Sequence, residues 1–314
     1  MALDSVPWFI GAEGADHSPA VARMLAYAAT NGATGVISPG DLKVTALPTP
    51  GAFVRIAPGG AAILNRYPGA PNQSYTARNA TATDVEVTAT GSSGGATKYL
   101  ILRVDDPEFG GAAPANPAAG PYIRPVWVTS ITNLAYPFVL LSKLVQPANT
   151  ATITNAMLTD PRQLANPQTF RDLVVLSGGA TVADLTNAAF VRWPNVTAPI
   201  AVPEWATHVK VLARVDGAEQ RLGIVYAEVQ LTLGTSMTGP VMPIDINAGA
   251  SSSNPARANL GVTMSQKLPT AYPGTTQNLE LKARRANAGT DPGFLRADTK
   301  THVQFDVWFT QEAV

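Results

Sequence analysis

The sequence predicts a mainly β protein: an N-terminal β-rich module with one short helix, a linker, and a C-terminal antiparallel, jelly-roll-like β-sandwich. Three observations carry this. Apolar and polar residues alternate in short runs, most cleanly in HVQFDVWFT (302–310), where Val303, Phe305, Val307 and Phe309 oppose His302, Gln304, Asp306 and Trp308. Turn residues punctuate the runs closely, with 26 Gly and 26 Pro in 314 residues. The later runs have no helical pattern between them, which argues for an antiparallel sandwich.

The helix comes first. Ser18 is placed as N-cap and Pro19 at the first helical position, where its missing N–H costs nothing. Val21, Met24, Leu25 and Ala28 follow at i, i+3, i+4 and i+7, an apolar stripe expected to dock on a sheet. Asn31-Gly32 supplies the left-handed stop.

Strand signals fill the region from Val44 to Val145. AFVRIAP and AAILNRY flank Pro58-Gly59-Gly60 and read as a hairpin. DVEVTAT (84–90) puts Val85, Val87 and Ala89 on one face, and KYLILRV (98–104) follows GSSGG. YIRPVWVTSI (122–131) and FVLLSKLVQ (138–146) come next, the latter continuous enough to be a central strand, and AAPANPAAGP (112–121) is a loop by composition.

Beyond Asn166, DLVVLS reads as a strand and ATVADLTNAAF as holding a helical turn. From Ile200 strands resume in HVKVLARV (208–215), GIVYAEVQLTL (223–233) and NLELKARR (278–285). LRVDD (102–106) and ARVDG (213–217) each read as a strand running into an Asp turn.

This pattern divides the chain into an attachment or assembly module at 1–160, a connector at 161–198 and a sandwich domain at 199–314. The seam is ITNAMLTDPRQLANP (153–167), where Pro161 and Pro167 bias Asp160 and Asn166 away from helix. Asp160 and Arg162 are expected to pin a turn there or to reach a neighbouring subunit. Trp8-Phe9-Ile10, ahead of the helix, forms an apolar arm and a second candidate subunit contact.

Charge narrows the function classes. Lys plus Arg number 22 against 22 Asp plus Glu, with no basic stripe interleaved with aromatics, so nucleic acid is not the expected partner. Cysteine is absent, which removes disulfides, thiolate metal sites and a cysteine nucleophile together. The first residues lack the cationic start and apolar core of a signal peptide, and no run approaches the ~18 apolar residues of a membrane helix. Folding in a cytosol-like compartment without membrane insertion is the expectation.

Reactive motifs are weak. Gly91-Ser92-Ser93-Gly94-Gly95 matches G-x-S-x-G, but that elbow needs a helix after the serine and a strand follows here, so a hairpin loop is the better reading. His17, His208 and His302 lie far apart; the last two are candidates for neighbouring strand ends, without the spacing of a metal motif. Glu204, Asp216, Glu228 and Asp245 are available for a glycosidase pair, which needs a defined separation. No cofactor and no metal are expected. Trp193, Trp205 and Trp308, with Tyr226 and Tyr272, suit core packing first and a saccharide platform second.

Several long stretches carry a resemblance: WFIGAEGADHSPAVARMLAYAATNGATGVISPGDLKV, PGAFVRIAPGGAAILNRYPG, QSYTARN, ATGSSGGATKYLILRVDDP and ITNAMLTDPRQLA. Together with PEWATHVKVLARVDG and ADTKTHVQFDVWFTQ, they resemble the minor tail proteins of siphophages that infect actinobacteria, most strongly over residues 8–165.

The resemblance implies a virion structural protein at the tail tip or baseplate, assembled in the host cytoplasm, without enzymatic activity. It further implies a homo-oligomer, a trimer or hexamer around the tail axis, bound to other tail proteins; a host cell-surface glycan is a further candidate partner, with the C-terminal domain contacting either host or tail proteins. The alternatives are a carbohydrate-binding receptor-recognition module and a cell-wall-active glycosidase.

Overall fold

In a computed structural model, which describes residues 18–70, 72–117, 120–178, 181–247, 255–286 and 292–314, the chain divides into two units. One runs to Pro167 and regains Glu312–Val314; the other is Gln168–Gln311. The chain is mainly β, with one α-helix among the described residues.

The first unit contains α1 (Pro19–Thr30), β1 (Gly35–Val36), β2 (Val44–Ala46), β3 (Phe53–Ile56), β4 (Gly59–Leu64) and β5 (Ser74–Asn79). It continues with β6 (Thr83–Glu86), β7 (Ala96–Val104), β8 (Ile123–Val128), β9 (Phe138–Gln146) and β10 (Leu158–Thr159). Three sheets result, ordered β1-β4-β5, β2-β3-β6 and β10-β9-β7-β8. Their inward residues, among them Leu42, Val54, Ile63, Leu100, Leu141 and Ile153, share one core. FVLLSKLVQ is indeed an interior strand.

Two local expectations change. β3 and β4 do not form a hairpin: β3 pairs with β2 and β6, β4 with β1 and β5. The chain turns a corner between sheets at Pro58, where the Asp41 carboxylate accepts from Gly60 N–H (2.9 Å) and Gly59 adopts φ +147° against Asp41. GSSGG likewise joins strands of different sheets, β6 and β7.

The helix is capped as expected: Val21 N–H donates to Ser18 Oγ (3.4 Å), and Asn31 closes it at φ 50°. Its docking face is not the apolar stripe. Met24 and Leu25 are 54% and 51% exposed. The helix is held instead by Arg23, which donates to Gln73 Oε1 (2.5 Å) and Glu108 Oε2 (2.7 Å) and lies over the Phe109 ring at 5.2 Å. A cation with carboxylate and aromatic partners thus replaces the aliphatic contact that periodicity suggested.

The second unit contains β11 (Thr169–Ser177), β12 (Ala183–Leu185), β13 (Val191–Arg192), β14 (Ala198–Ala201), β15 (His208–Arg221) and β16 (Val225–Leu233). It is completed by β17 (Met237–Thr238), β18 (Met242–Ile246), β19 (Ala256–Lys267), β20 (Thr276–Arg285), β21 (Phe294–Ala297) and β22 (His302–Thr310). These form two six-stranded antiparallel sheets. In one, β15 is central, flanked by β22 and β19, with β11 on the outer side of β22; in the other, β16 and β20 are central.

Alternation sets the inner faces. Val303, Phe305, Val307 and Phe309 are all fully buried and meet Leu231, Leu279 and Leu281 in one core. That is the layer geometry of a sandwich. ARVDG proves to be a bulge rather than a turn: the register of β15 shifts between Val215 and Ala218, with Gly217 at φ +74°.

The division of the chain also differs from the expected 1–160, 161–198 and 199–314. Arg162, Leu164 and Ala165 are buried in the first unit. Residues 169–201 supply β11 to β14 of the sandwich, so the stretch read as a connector is sheet, and the helical turn expected in ATVADLTNAAF is β12 followed by bends. Pairing with β21 and β22 supplied the order that local pattern alone did not.

The closure of the first unit is tight enough to require glycine. A Cβ on Gly35 would sit 2.6 Å from the Ala165 backbone nitrogen and collide with the Gln163 carbonyl oxygen. Gly35→Ala is expected to destabilise the first unit by about 1–3 kcal/mol, the usual range for overpacking against atoms that cannot yield. Phe305→Ala is expected to cost the sandwich about 3–5 kcal/mol. Urea denaturation followed by a probe in each unit reads both.

Candidate functional site

Asp160 and Arg162 form the best-built polar cluster at the expected seam. Pro161 separates them, and the chain bends back so that Arg162 Nε and Nη2 donate to the two Asp160 oxygens at 2.9 and 2.7 Å. Arg162 Nη1 donates to the Asp41 carbonyl, and Nη2 also donates to the Val314 carbonyl at 2.9 Å. The Arg162 side chain is fully shielded from solvent.

Burial acts to raise the Asp160 pKa, but the hydrogen bonds from the Arg162 side chain and backbone outweigh it and hold the carboxyl below its ordinary value. Arg162 is therefore tied into the first unit, while Asp160 pins the turn and stays partly exposed. These bonds use four of the five guanidinium N–H groups. The other proposed contact, Trp8, Phe9 and Ile10, lies outside the described residues, as does His17.

The three tryptophans are not brought together. Trp193 is 2% exposed, and its indole N–H donates to the Ala183 carbonyl at 2.9 Å. It is a core residue, which removes it from any sugar platform. Trp205 sits in the turn before β15, partly buried against the sandwich core. Tyr272 is buried too, its hydroxyl accepting from Ser236 N–H (3.0 Å) and donating to the Leu233 carbonyl (3.1 Å).

Trp308 does face outward on β22. The register places Arg171 of β11 and Lys210 of β15 directly opposite it on either side. Their cationic groups lie 5.1 and 5.8 Å from the indole. Arg171 is itself anchored by two 2.7 Å bonds to Asp306, so the ring carries its own cations where a sugar would stack.

His208 and His302 are on adjacent strands but at opposite ends. His208 faces Thr310, and His302 faces Asp216, as antiparallel pairing dictates. Among the described residues, no group of three metal-ligating side chains occurs.

Of the acids, Glu228 and Asp245 share one face of the second sheet at neighbouring rungs. Glu228 accepts from Arg284 Nε at 2.6 Å, and Arg284 lies over the Phe190 ring. Glu204 is in the turn before β15, and Asp216 beside the bulge. Two pockets of the first unit, of about 120 and 240 Å³, fall below the ~300–1,000 Å³ of small-molecule sites; Arg78, Asn79 and Thr83 are the polar lining of one, and Thr34, Arg66 and Gln163 of the other.

Sequence reasoning missed Arg23 and its partners. The aromatic side chains and acids of YTARN and VDDPEFG were the available signal: Tyr75 donates to Asp106 Oδ2 (2.8 Å), and burial together with that carboxylate raises its pKa.

No protein-family profile and no curated protein matches the sequence. Among solved structures, the chain is similar to that of T=1 particles derived from infectious bursal virus, at 12% identity over 93% of this chain and 79% of that one, TM-score 0.27. It is similar to the VP2 subviral particle of infectious bursal disease virus at 10% identity over 90% and 79%, TM-score 0.24. A Cry1Da tryptic core variant of Bacillus thuringiensis follows at 8% over 98% and 57%, TM-score 0.17. Scores this low describe a distant likeness to viral capsid proteins and assign no function.

Replacing Arg162 by Met is expected to cost the first unit about 2 kcal/mol or more, because two carbonyls and a carboxylate lose their donor. The Asp160 contribution has a definite sign with pH. Its folded pKa is depressed, so the stabilisation is present above the unfolded value of about 3.9 and fades as pH falls through the folded one. Denaturation of the wild type and of Arg162→Met across the acid range should show a smaller acid-side loss in the variant.

Proposed function

We propose that the chain is a structural component of a phage virion, a minor tail or baseplate protein at the tail tip. The observation that carries this reading is how the suggestive side chains are spent. Asp160 and Arg162 close a unit, Glu228 holds Arg284, Trp193 fills a core and Trp308 stacks with cations. Two β units that use their polar chemistry internally and present broad sheet faces suit a scaffold.

The sequence resemblance, strongest over residues 8–165, supports the same reading. Assembly as a homo-oligomer with other tail proteins, and contact with a host surface glycan, belong to the proposal. So does the absence of catalysis. Carbohydrate recognition through tryptophan is the weaker reading, since only Trp308 keeps an outward ring and cations flank it.

Immunogold or cryo-electron imaging of particles with an antibody to this chain tests the role. Label at the tail tip is expected; a chain absent from purified virions overturns it. Removal of residues 1–16 is expected to impair incorporation and leave the sandwich folded. On purified actinobacterial cell wall the protein should release no sugar; hydrolysis abolished by Glu204→Gln or Glu228→Gln would establish the enzyme instead. In a glycan array, Trp308→Ala should leave any binding unchanged.

A further inference from the structure

The two long outer strands of the first sandwich sheet, β11 and β19, are built differently. β19 turns Arg257, Asn259, Thr263, Ser265 and Lys267 to solvent around Gly261. That is the charged and broken surface with which proteins blunt a free edge. β11 is more lightly protected: its charges are the adjacent Arg171, which is held by Asp306, and Asp172, and the five residues after them are Leu, Val, Val, Leu and Ser.

All nine of its residues pair with β22 in continuous register, without a bulge, and among the described strands it pairs with no other. It contains no proline, lysine or glycine. Phe170, Leu173 and Val175 are 47, 50 and 60% exposed along it. Their inward neighbours Val174 and Leu176 already pack on the sandwich core.

We propose that β11 is a self-pairing edge, and that two copies of this chain join antiparallel about a two-fold axis at Leu173 to continue the sheet across the interface. The strand sequence TFRDLVVLS selects both the partner and the register. Side chains that face each other across a two-fold must share a face of the sheet, so the axis passes beside a single residue.

An axis at Arg171 would oppose two guanidinium groups, and one at Asp172 two carboxylates; like charges directly opposite are destabilising. An axis at Leu173 avoids both and is the one centre that pairs every residue of the strand. It sets Phe170 against Leu176, Asp172 against Val174, Arg171 against Val175, Thr169 against Ser177 and Leu173 against itself. Arg171 is held by Asp306, so its aliphatic stem is left to cover Val175. The half-exposed Phe170 then lies over an inner-face leucine of the second copy, and the two cores become continuous. This inference stands apart from the virion reading, since it needs only the strand and its exposure.

The test is sedimentation of the full chain with complementary charges at the axis. Wild type is expected to dimerise with concentration. Leu173→Lys and Leu173→Glu are each expected to weaken dimerisation at least about tenfold, because each places a like charge against itself. An equimolar mixture of the two variants is expected to recover the dimer, since lysine then faces glutamate.

Circular dichroism and thermal melting of each variant should match wild type, as Leu173 is half-exposed. A wild type that stays monomeric overturns the proposal, as does an oligomer untouched by either substitution. Two weakened variants that fail to rescue each other overturn the register. Particle labelling at the tail tip is read separately: a monomeric wild type overturns this pairing and the homo-oligomer part of the virion reading, while the tail-tip location stands or falls on the labelling alone.

Discussion

The Arg162 guanidinium is shielded from solvent, and a cation tolerates burial only when its donors are met. Here Asp160, the Asp41 carbonyl and the Val314 carbonyl meet them. Those partners come from three distant parts of the chain, so one side chain gathers the loop before β2, the end of β10 and the last residues of the sequence. The backbone follows: Val36 N–H donates to the Gln163 carbonyl (2.8 Å) and Ala165 N–H to the Val36 carbonyl (2.9 Å). Gly35 is what lets those backbones approach. The first unit therefore ends after this stitch, at Pro167, and not before it.

The sandwich rests on a different constraint, the two-residue period of its strands. β22 places four large apolar side chains inward and leaves Gln304, Asp306 and Trp308 on the outer face, where Arg171 and Lys210 complete the row. Each unit holds some of its charges in internal pairs, Arg162 with Asp160 in the first and Arg171 with Asp306 in the second. Such pairs add modestly to stability at a surface.

Much of this was legible in the sequence. The class, the single helix with its Ser18 cap and Asn31 stop, and the buried face of β22 all follow from local pattern. What failed to show was long-range. The Val21–Met24–Leu25–Ala28 stripe matched a docking face by spacing, yet Arg23 found better partners in Gln73 and Glu108, far along the chain. Pro58-Gly59-Gly60 has the composition of a hairpin turn, and the choice between hairpin and corner depended on Asp41. Of the candidate site, the turn pinned by Asp160 and Arg162 was legible, but the Asp41 and Val314 carbonyls that Arg162 also reaches are anticipated by no spacing rule. Trp193 and Trp308 look alike in sequence, and only sheet packing tells the buried one from the exposed one.

The central claim is that Asp160–Ala165 is part of the first unit's folded body, closed by Arg162, and not a linker. Residue-resolved amide hydrogen exchange tests this most directly, at the Val36 and Ala165 amides that make the stitch. Slow exchange at both, matching the slowest core amides of β7 and β9, is the result the account requires. Fast exchange at Ala165, with β7 and β9 still protected, would contradict it.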